Sequence, residues 1–258
     1  MEPPIPPVFF AALLLLGMLV FLEVGRRFGI WRRSREAEGE RGNLGIVEGS
    51  VLALFGLMMA FTFSGAVSRF SEKRMLIAEE VNAIEVAYLR TYLVSDDKQS
   101  GLRDLLRRYV DSRLELYRRL PNMRAAQAEL AKSKKLQEEI WTQAVAVTRL
   151  PNSHQDAGKL FLPAINNMID IATTRTMWLQ AHPPVIIYGL LFSLGLVCSL
   201  LAGYRMAIHH RSWVHIFSFT VLTVIVAYVM LDIEYPRAGL IRLETADSLL
   251  VQLREAME

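Results

Sequence analysis

Long apolar runs alternate with charged stretches along this chain, and their lengths predict most of its elements. Four runs are long enough to cross a bilayer: Ile5 to Leu22, Val47 to Ser68, Val185 to Tyr204, and Trp213 to about Leu231. The second is about 22 residues, roughly 33 Å as a helix, against a hydrocarbon core of about 30 Å. Its only ionisable residue is Glu48, and no Pro or Gly separates it from the charged stretch RFSEKRMLIAEEVNAIEVAYLR that starts at Arg69. One long helix is therefore expected to cross the membrane and continue into water.

Between the second and third runs, residues 69–184 read as four helices. The first is the extension from Arg69 to about Leu93. Ser95-Asp96-Asp97 caps the second, about 97–120, whose Leu102, Leu105, Leu106, Tyr109, Val110, Leu116, Tyr117 and Leu120 recur at helical spacing. The third, about 123–149, places Leu130, Leu136, Ile140, Trp141, Ala144 and Val147 on its apolar side. Pro121-Asn122 and Pro151-Asn152 end the second and third. The fourth runs from Asp156 to Ala181, with Pro163 in its first two turns, where a proline costs least. No alternating strand pattern is present. The expected class is all-α: four transmembrane helices with an antiparallel helical-bundle soluble domain between helices 2 and 3. The domains are then a transmembrane pair over 1–68, a soluble helical domain over 69–184, a second transmembrane pair over 185–238 and an amphipathic tail over 239–258.

Charge sharpens this picture. The chain has 258 residues, 52% hydrophobic and 21% charged, with the charges segregated rather than evenly spread. A net charge of +3 without aromatic–basic interleaving gives no nucleic-acid face. The single cysteine, Cys198, lies in an apolar run, so disulfides are not part of the fold. The first run has no positive charge before it and no A-x-A-like site after it, so it is expected as an anchored helix rather than a removed signal. Residues 23–44 are expected as a short polar loop with six arginines, because Gly25, Gly29, Gly39 and Gly42 argue against a rigid helix. The positive-inside rule places this loop and the 205–212 turn in the cytoplasm, which puts the helical domain and both termini outside.

Three sets of residues are candidates for function. In the second span Gly49, Ala53, Gly56, Ala60, Ser64 and Ser68 recur in steps of three and four, continuing a stripe from Gly45. Such a stripe lets another helix approach closely; with Thr62 it also fits the lining of an ion pathway. In the soluble part, Glu79, Glu80, Asn82, Glu85 and Arg90 recur on the first helix, with Glu79 and Asn82 on one face, and Asn166, Asn167, Asp170 and Arg175 recur on the fourth, with Asn166 and Asp170 on one face. These residues suit a solvated surface, a hydrogen-bonded network that docks the two helices, or an ion-coordinating vestibule. At the end of the fourth span stand Asp232, Glu234 and Arg237, as membrane-edge charges or a carboxylate ring of a symmetric channel. Glu23 and Glu48 lie near one membrane side with Arg26 and Arg27 as partners. His209, His210 and His215 lack zinc-helix spacing, so no metal is expected. There is no phosphate loop, dinucleotide fingerprint or G-x-S-x-G; no cofactor and no enzyme activity are expected.

Several segments occur together in order: EVGRRFG at 23–29, the whole run 47–90, LRRYVDSRLELYR at 106–118, INNMIDIATTR at 165–175 and LDIEYPRAGLIRL at 231–243. In these the chain resembles a bacterial bestrophin-like integral membrane family of unknown function, a resemblance that implies a bacterial inner membrane. The resemblance implies a likeness to bestrophins, pentameric anion channels whose helical domain continues from the membrane helices and lies, with the termini, in the cytoplasm. That placement is opposite to the one the arginine-rich loops indicate. The second span lacks the clustered aromatics of a bestrophin pore, since Phe55, Phe61 and Phe63 are scattered. Two functions are therefore expected in competition: a homo-oligomeric ion channel passing small ions along the second span, and a non-conducting sensor, scaffold or assembly protein whose helical domain binds a protein partner.

Overall fold

The computed structural model describes residues 6–33, 44–119, 123–149, 156–179, 181–207, 213–236, 240–241 and 244–258. The elements are α1 (Pro7–Arg33), α2 (Leu44–Leu89) followed by a single 3-10 turn (Arg90–Leu93), α3 (Asp96–Arg119), α4 (Met123–Thr148), α5 (Ala157–Trp178), α6 (Val185–Met206), α7 (Trp213–Glu234) and α8 (Glu244–Ala256). No strand occurs among the described residues. Four helical segments are long and apolar enough to cross a membrane: Pro7–Arg32, Ile46–Leu93, Val185–Met206 and Phe217–Glu234. As the pattern predicts, α2 is one helix of 46 residues with no break near Phe70. At about 1.5 Å per residue it is roughly 69 Å long, more than twice the thickness of a hydrocarbon core.

The chain forms two compact units, with the boundary inside α2. One comprises Phe70–Ala181 and Ile241–Glu258, the other Glu2–Arg69 and His182–Leu240. In the first unit α3, α4 and α5 pack in sequence, α4 against both α3 and α5, and α8 lies on α3. The core is built from the apolar stripes the sequence shows: Ile84 and Ala87 from α2, Leu102, Leu106, Tyr109 and Val110 from α3, Ile140 and Ala144 from α4, Phe161, Ile165 and Met168 from α5. Trp141 departs from expectation and is exposed. Leu136, Ile140, Ala144 and Val147 set the buried face of α4, and Trp141 sits about 100° from Ile140 around the helix. The C-terminal tail belongs to this unit. Leu250, Leu253 and Met257 are buried, Arg254 pairs with Asp111 at 2.7 Å, and the Met257 carbonyl accepts from Arg107 Nε at 2.6 Å and the Tyr88 hydroxyl at 2.9 Å.

In the second unit the closest helix pair is α1 with α6, and α7 packs on α1. This pairing corrects the reading of residues 23–44 as a loop from its first residue: α1 continues as helix to Arg33. Gly25 and Gly29 are not flexible joints. A Cβ on Gly25 would collide with the Leu200 carbonyl, and one on Gly29 would lie 2.8 Å from the Tyr204 carbonyl and 2.6 Å from the Ala207 Cβ. From the other side, a Cβ on Gly203 would collide with the Leu22 carbonyl. The four-residue spacing of Gly25 and Gly29 is the small-xxx-small arrangement that brings two membrane helices into backbone contact. The membrane stretch of α2, by contrast, buries mainly Phe55, Met59 and Ala66.

These glycines separate into two groups by experiment. Gly25→Ala or Gly203→Ala is expected to lower the stability of the full-length protein in detergent by about 1–3 kcal/mol, as overpacking does. Gly49→Ala and Gly56→Ala, where a Cβ meets nothing within 4 Å, are expected to stay within about 0.5 kcal/mol. Thermal unfolding of the four variants checks the split.

Candidate functional site

The second unit carries a buried charged cluster where three chain segments end. Arg69 closes the apolar stretch of α2, Glu234 is the last residue of α7, and His182 immediately precedes the Pro183-Pro184 break that starts α6. Glu234 is fully buried. Its carboxylate accepts from Arg69 Nε at 3.1 and 3.0 Å and from Arg69 Nη2 at 2.8 Å. His182 Nδ1 lies 3.2 Å from the same carboxylate. Gly65, one turn before Arg69, leaves room for the guanidinium: a Cβ there would sit 3.1 Å from Arg69 Nη1. The His182 ring stacks on Tyr235, centroids 4.6 Å apart at 24°. Two buried polar atoms beside this frame have no hydrogen-bond partner among the described residues, His182 Nε2 and the Tyr188 hydroxyl. Two residues before Glu234, buried Asp232 accepts the Leu240 N–H on both oxygens at 2.9 and 3.1 Å, which fixes the chain as it leaves α7.

The first unit has its own buried ionic centre, beyond the apolar stretch that ends at Ser68. Glu80 of α2 accepts from Arg113 Nε of α3 and from Arg175 Nη1 of α5, each at 2.5 Å, and from the Tyr117 hydroxyl at 3.1 Å. Arg113 also donates to Tyr117, and the Arg175 guanidinium lies 3.6 Å above the Tyr117 ring. Glu80, Arg113 and Arg175 are 0%, 1% and 3% exposed. Burial alone would raise the Glu80 carboxyl; the two arginines outweigh it and hold the group below its ordinary value. Arg113 is likewise held more firmly protonated than usual, burial opposing its charge and Glu80 overriding that opposition. Burial pushes the Tyr117 hydroxyl up and the neighbouring Tyr109 hydroxyl to about 12.

The sequence-derived candidates fall in several places. Glu79 and Asn82 are exposed, one position out of register with Glu80. Asn166 donates to Asp170 at 2.8 Å on an exposed face of α5, whereas Arg175 of the same helix turns inward to Glu80. Gly49, Ala53, Gly56, Ala60, Ser64 and Ser68 are all exposed. Asp232 and Glu234 are buried; Arg237 lies outside the described residues. Glu23 pairs with Arg26 at 2.8 Å and Arg27 at 3.1 Å, while Glu48 lies 3.7 Å from Arg205 of α6. Glu80 stood among the polar residues of the first helix without being set apart from Glu79 and Asn82, and Arg113 was not singled out, although a signal exists: Glu80 interrupts the apolar stripe Ile77, Ile84, Ala87, and Arg113 falls between Tyr109 and Tyr117 at four-residue steps. For Arg69 and His182 no such local signal exists, because their partner Glu234 is distant in sequence.

No three metal-ligating side chains converge among the described residues. An open cleft of about 360 Å³ lined by Arg108, Asp111, Lys132, Lys135, Leu136 and Glu139 lies on the bundle surface. Two of its cations are paired with carboxylates, Arg108 with Asp104 at 3.9 Å and Lys132 with Glu129 at 3.6 Å.

One carboxylate serves two buried arginines in the bundle, so the expected costs are unequal. Glu80→Leu strands both guanidiniums and is expected to destabilise the full-length protein by about 3–5 kcal/mol. Arg113→Met leaves the Arg175 pair in place and is expected to cost clearly less. Protonation does what the Glu80 substitution does. Because the folded value is depressed, the contribution is fully present above about pH 4.5, the ordinary value, and is lost as pH falls through the depressed one. Thermal unfolding against pH is expected to show this acid loss in the wild type and its absence in Glu80→Gln.

A family model for the bestrophin-like domain matches residues 26–247. No curated protein and no solved structure matches the chain. The match takes in the last two turns of α1, all of α2 to α7 and the start of α8, including both buried ionic centres; the chain belongs to the bestrophin-like family.

Proposed function

We propose that the protein is a homo-oligomeric membrane protein that passes small ions, assembled through the small-residue stripe of α2, with the Phe70–Ala181 bundle as a soluble domain inserted between the second and third spans. The observation that carries this reading is the stripe itself. Gly49, Ala53, Gly56, Ala60, Ser64 and Ser68 are exposed together, and nothing lies within 4 Å of a Cβ built on Gly49 or Gly56. A stripe of this kind suits close backbone approach by an identical helix. Off the stripe, Ser50 and Thr62 donate to the Ile46 and Met58 carbonyls of their own helix at 2.9 and 2.8 Å, so these hydroxyl protons are held by the helix backbone and any ion path must form on assembly. Membership of the bestrophin-like family supports both the assembly and the conduction.

The non-conducting alternative rests on the docked C-terminal helix and the fully paired Glu80 centre, which suit a rigid platform for a protein partner. Purified protein in planar bilayers separates the two readings. Current under an anion or cation gradient is expected; silence under both argues for the platform. Gly56→Leu is expected to leave the protomer folded and shift it from oligomer to monomer in detergent, measured by light scattering. A monomeric wild type removes the central-pore reading. Single cysteines placed in the 23–44 and 205–212 segments are expected to react with impermeant reagents only from the cytoplasmic side, Cys198 being buried.

A further inference from the structure

We propose that the end of the α1–α6 pair binds the headgroup of an anionic phospholipid, with Arg27 and Arg205 holding its phosphate beside an aromatic seat. Glycine contacts set the levels of the two helices. Gly17, Gly25 and Gly29 of α1 face Leu196, Leu200 and Tyr204 of α6 in rising order, so the helices run parallel. Arg27 and Arg205 therefore leave neighbouring helices at about one height, where the apolar runs of both give way to charge. The residues beside them in sequence meet across the pair. The Phe28 and Tyr204 ring centroids are 6.2 Å apart, and Trp31 stacks on Phe28 at 5.7 Å. Phe28 and Trp31 are about half exposed. Exposed rings at the end of an apolar span belong at headgroup level.

The ligand class follows from how the charges are used. Arg26 is committed to Glu23, its Nε and Nη2 donating to the two carboxylate oxygens at 2.9 and 2.8 Å. Arg27 shares that carboxylate through Nε alone, at 3.1 Å, and its side chain is 78% exposed. Arg205 reaches Glu48 only at 3.7 Å, and its side chain is 65% exposed. These three guanidiniums thus share two carboxylates, and two of them keep N–H groups for a further oxyanion. Phosphate is the oxyanion whose geometry the guanidinium fork matches. A zwitterionic headgroup carries its own ammonium beside the phosphate, so a site of net positive charge favours the anionic kind. Val20 and Val24 precede Arg27 by one and two helical turns on the same face, and both are exposed. They give an acyl chain an apolar track that a free phosphate cannot use. The inference holds for a conducting and a non-conducting protein alike.

The test is thermal unfolding of the full-length protein in detergent micelles doped with phosphatidylglycerol, with phosphatidylcholine, or with inorganic phosphate at matched ionic strength. A ligand that binds the folded state raises the midpoint. Phosphatidylglycerol is expected to raise that of the wild type by several degrees more than phosphatidylcholine, and inorganic phosphate to leave it unchanged. Arg27→Gln with Arg205→Gln is expected to abolish the difference between the lipids. Arg74→Gln, at an exposed arginine of α2 beyond its apolar stretch, is expected to keep it. Equal gains from the two lipids in the wild type, or an undiminished difference in the double variant, overturn the proposal. So does an equal loss in Arg74→Gln, which is diffuse attraction without a site, and so does a matching gain from inorganic phosphate, which is an ion site without a lipid. Should the double variant not fold, Arg27→Gln alone is expected to weaken phosphatidylglycerol binding about fivefold in a lipid titration; an unchanged titration overturns the proposal.

Discussion

A carboxylate shut away from water must be matched by cations held in place by other parts of the chain, and both units of this protein are organised around that constraint. Taking a single charge into a low-dielectric interior costs several kcal/mol even after relaxation. Glu80 meets this with arginines from α3 and α5, and Glu234 with Arg69 from α2, to which the ring of His182, just before α6, adds a hydrogen bond. In each case the partners come from different helices. The ion pair therefore fixes rotation and axial position of those helices, which apolar contacts alone leave free to slide. Leu, Ile and Ala side chains fill the bundle interior, but any of several registers would bury similar area; only one register lets Arg113 and Arg175 reach the same carboxylate.

The large elements were legible in the sequence because they depend on local pattern. The length of the apolar runs set the spans, and the unbroken passage from Ser68 to Arg69 set the continuous α2. Elements governed by tertiary contact were harder to see. Gly25 and Gly29 look like loop residues when read for propensity, since glycine is costly in a helix interior. They belong to a helix because α6 comes close enough that any side chain would strike its carbonyls. The reason for those glycines lies about 175 residues further along the chain, at Leu200 and Tyr204, where no local reading looks.

The candidate polar network illustrates a finer limit. Reading α2 for polar residues that share a face sets Glu79 and Asn82 ahead of Glu80, but polar residues that share a face are most often simply solvated. The informative residue was the one that disagreed with its own stripe. Ile77, Glu80, Ile84 and Ala87 follow helical steps, and three of the four are apolar. A charge on an otherwise buried face announces a partner, and an arginine among the buried tyrosines of α3 answers it. By contrast Glu234, at the end of an apolar helix, gives no such phase information. Its partners are the next span's entry and another span's exit, a relation set by topology rather than by spacing.

Glycine is used in two ways in this protein, and the difference bears on how it works. Gly25, Gly29 and Gly203 are spent on contact within the chain, and the helices they join need nothing further there. Gly49 and Gly56 have the same chemistry, yet nothing among the described residues comes within 4 Å of a Cβ built on them. Retaining glycine in a helix costs about 1 kcal/mol relative to alanine in an exposed interior position. In hydrocarbon no hydrophobic force drives two helices together, so close packing is the main gain such residues can return. A lipid acyl chain draws no comparable benefit from a groove sized for a helix backbone. The face of α2 with capacity for close approach is thus the one its own chain leaves unfilled, and a second helix offering the same stripe is the partner that would use both grooves at once.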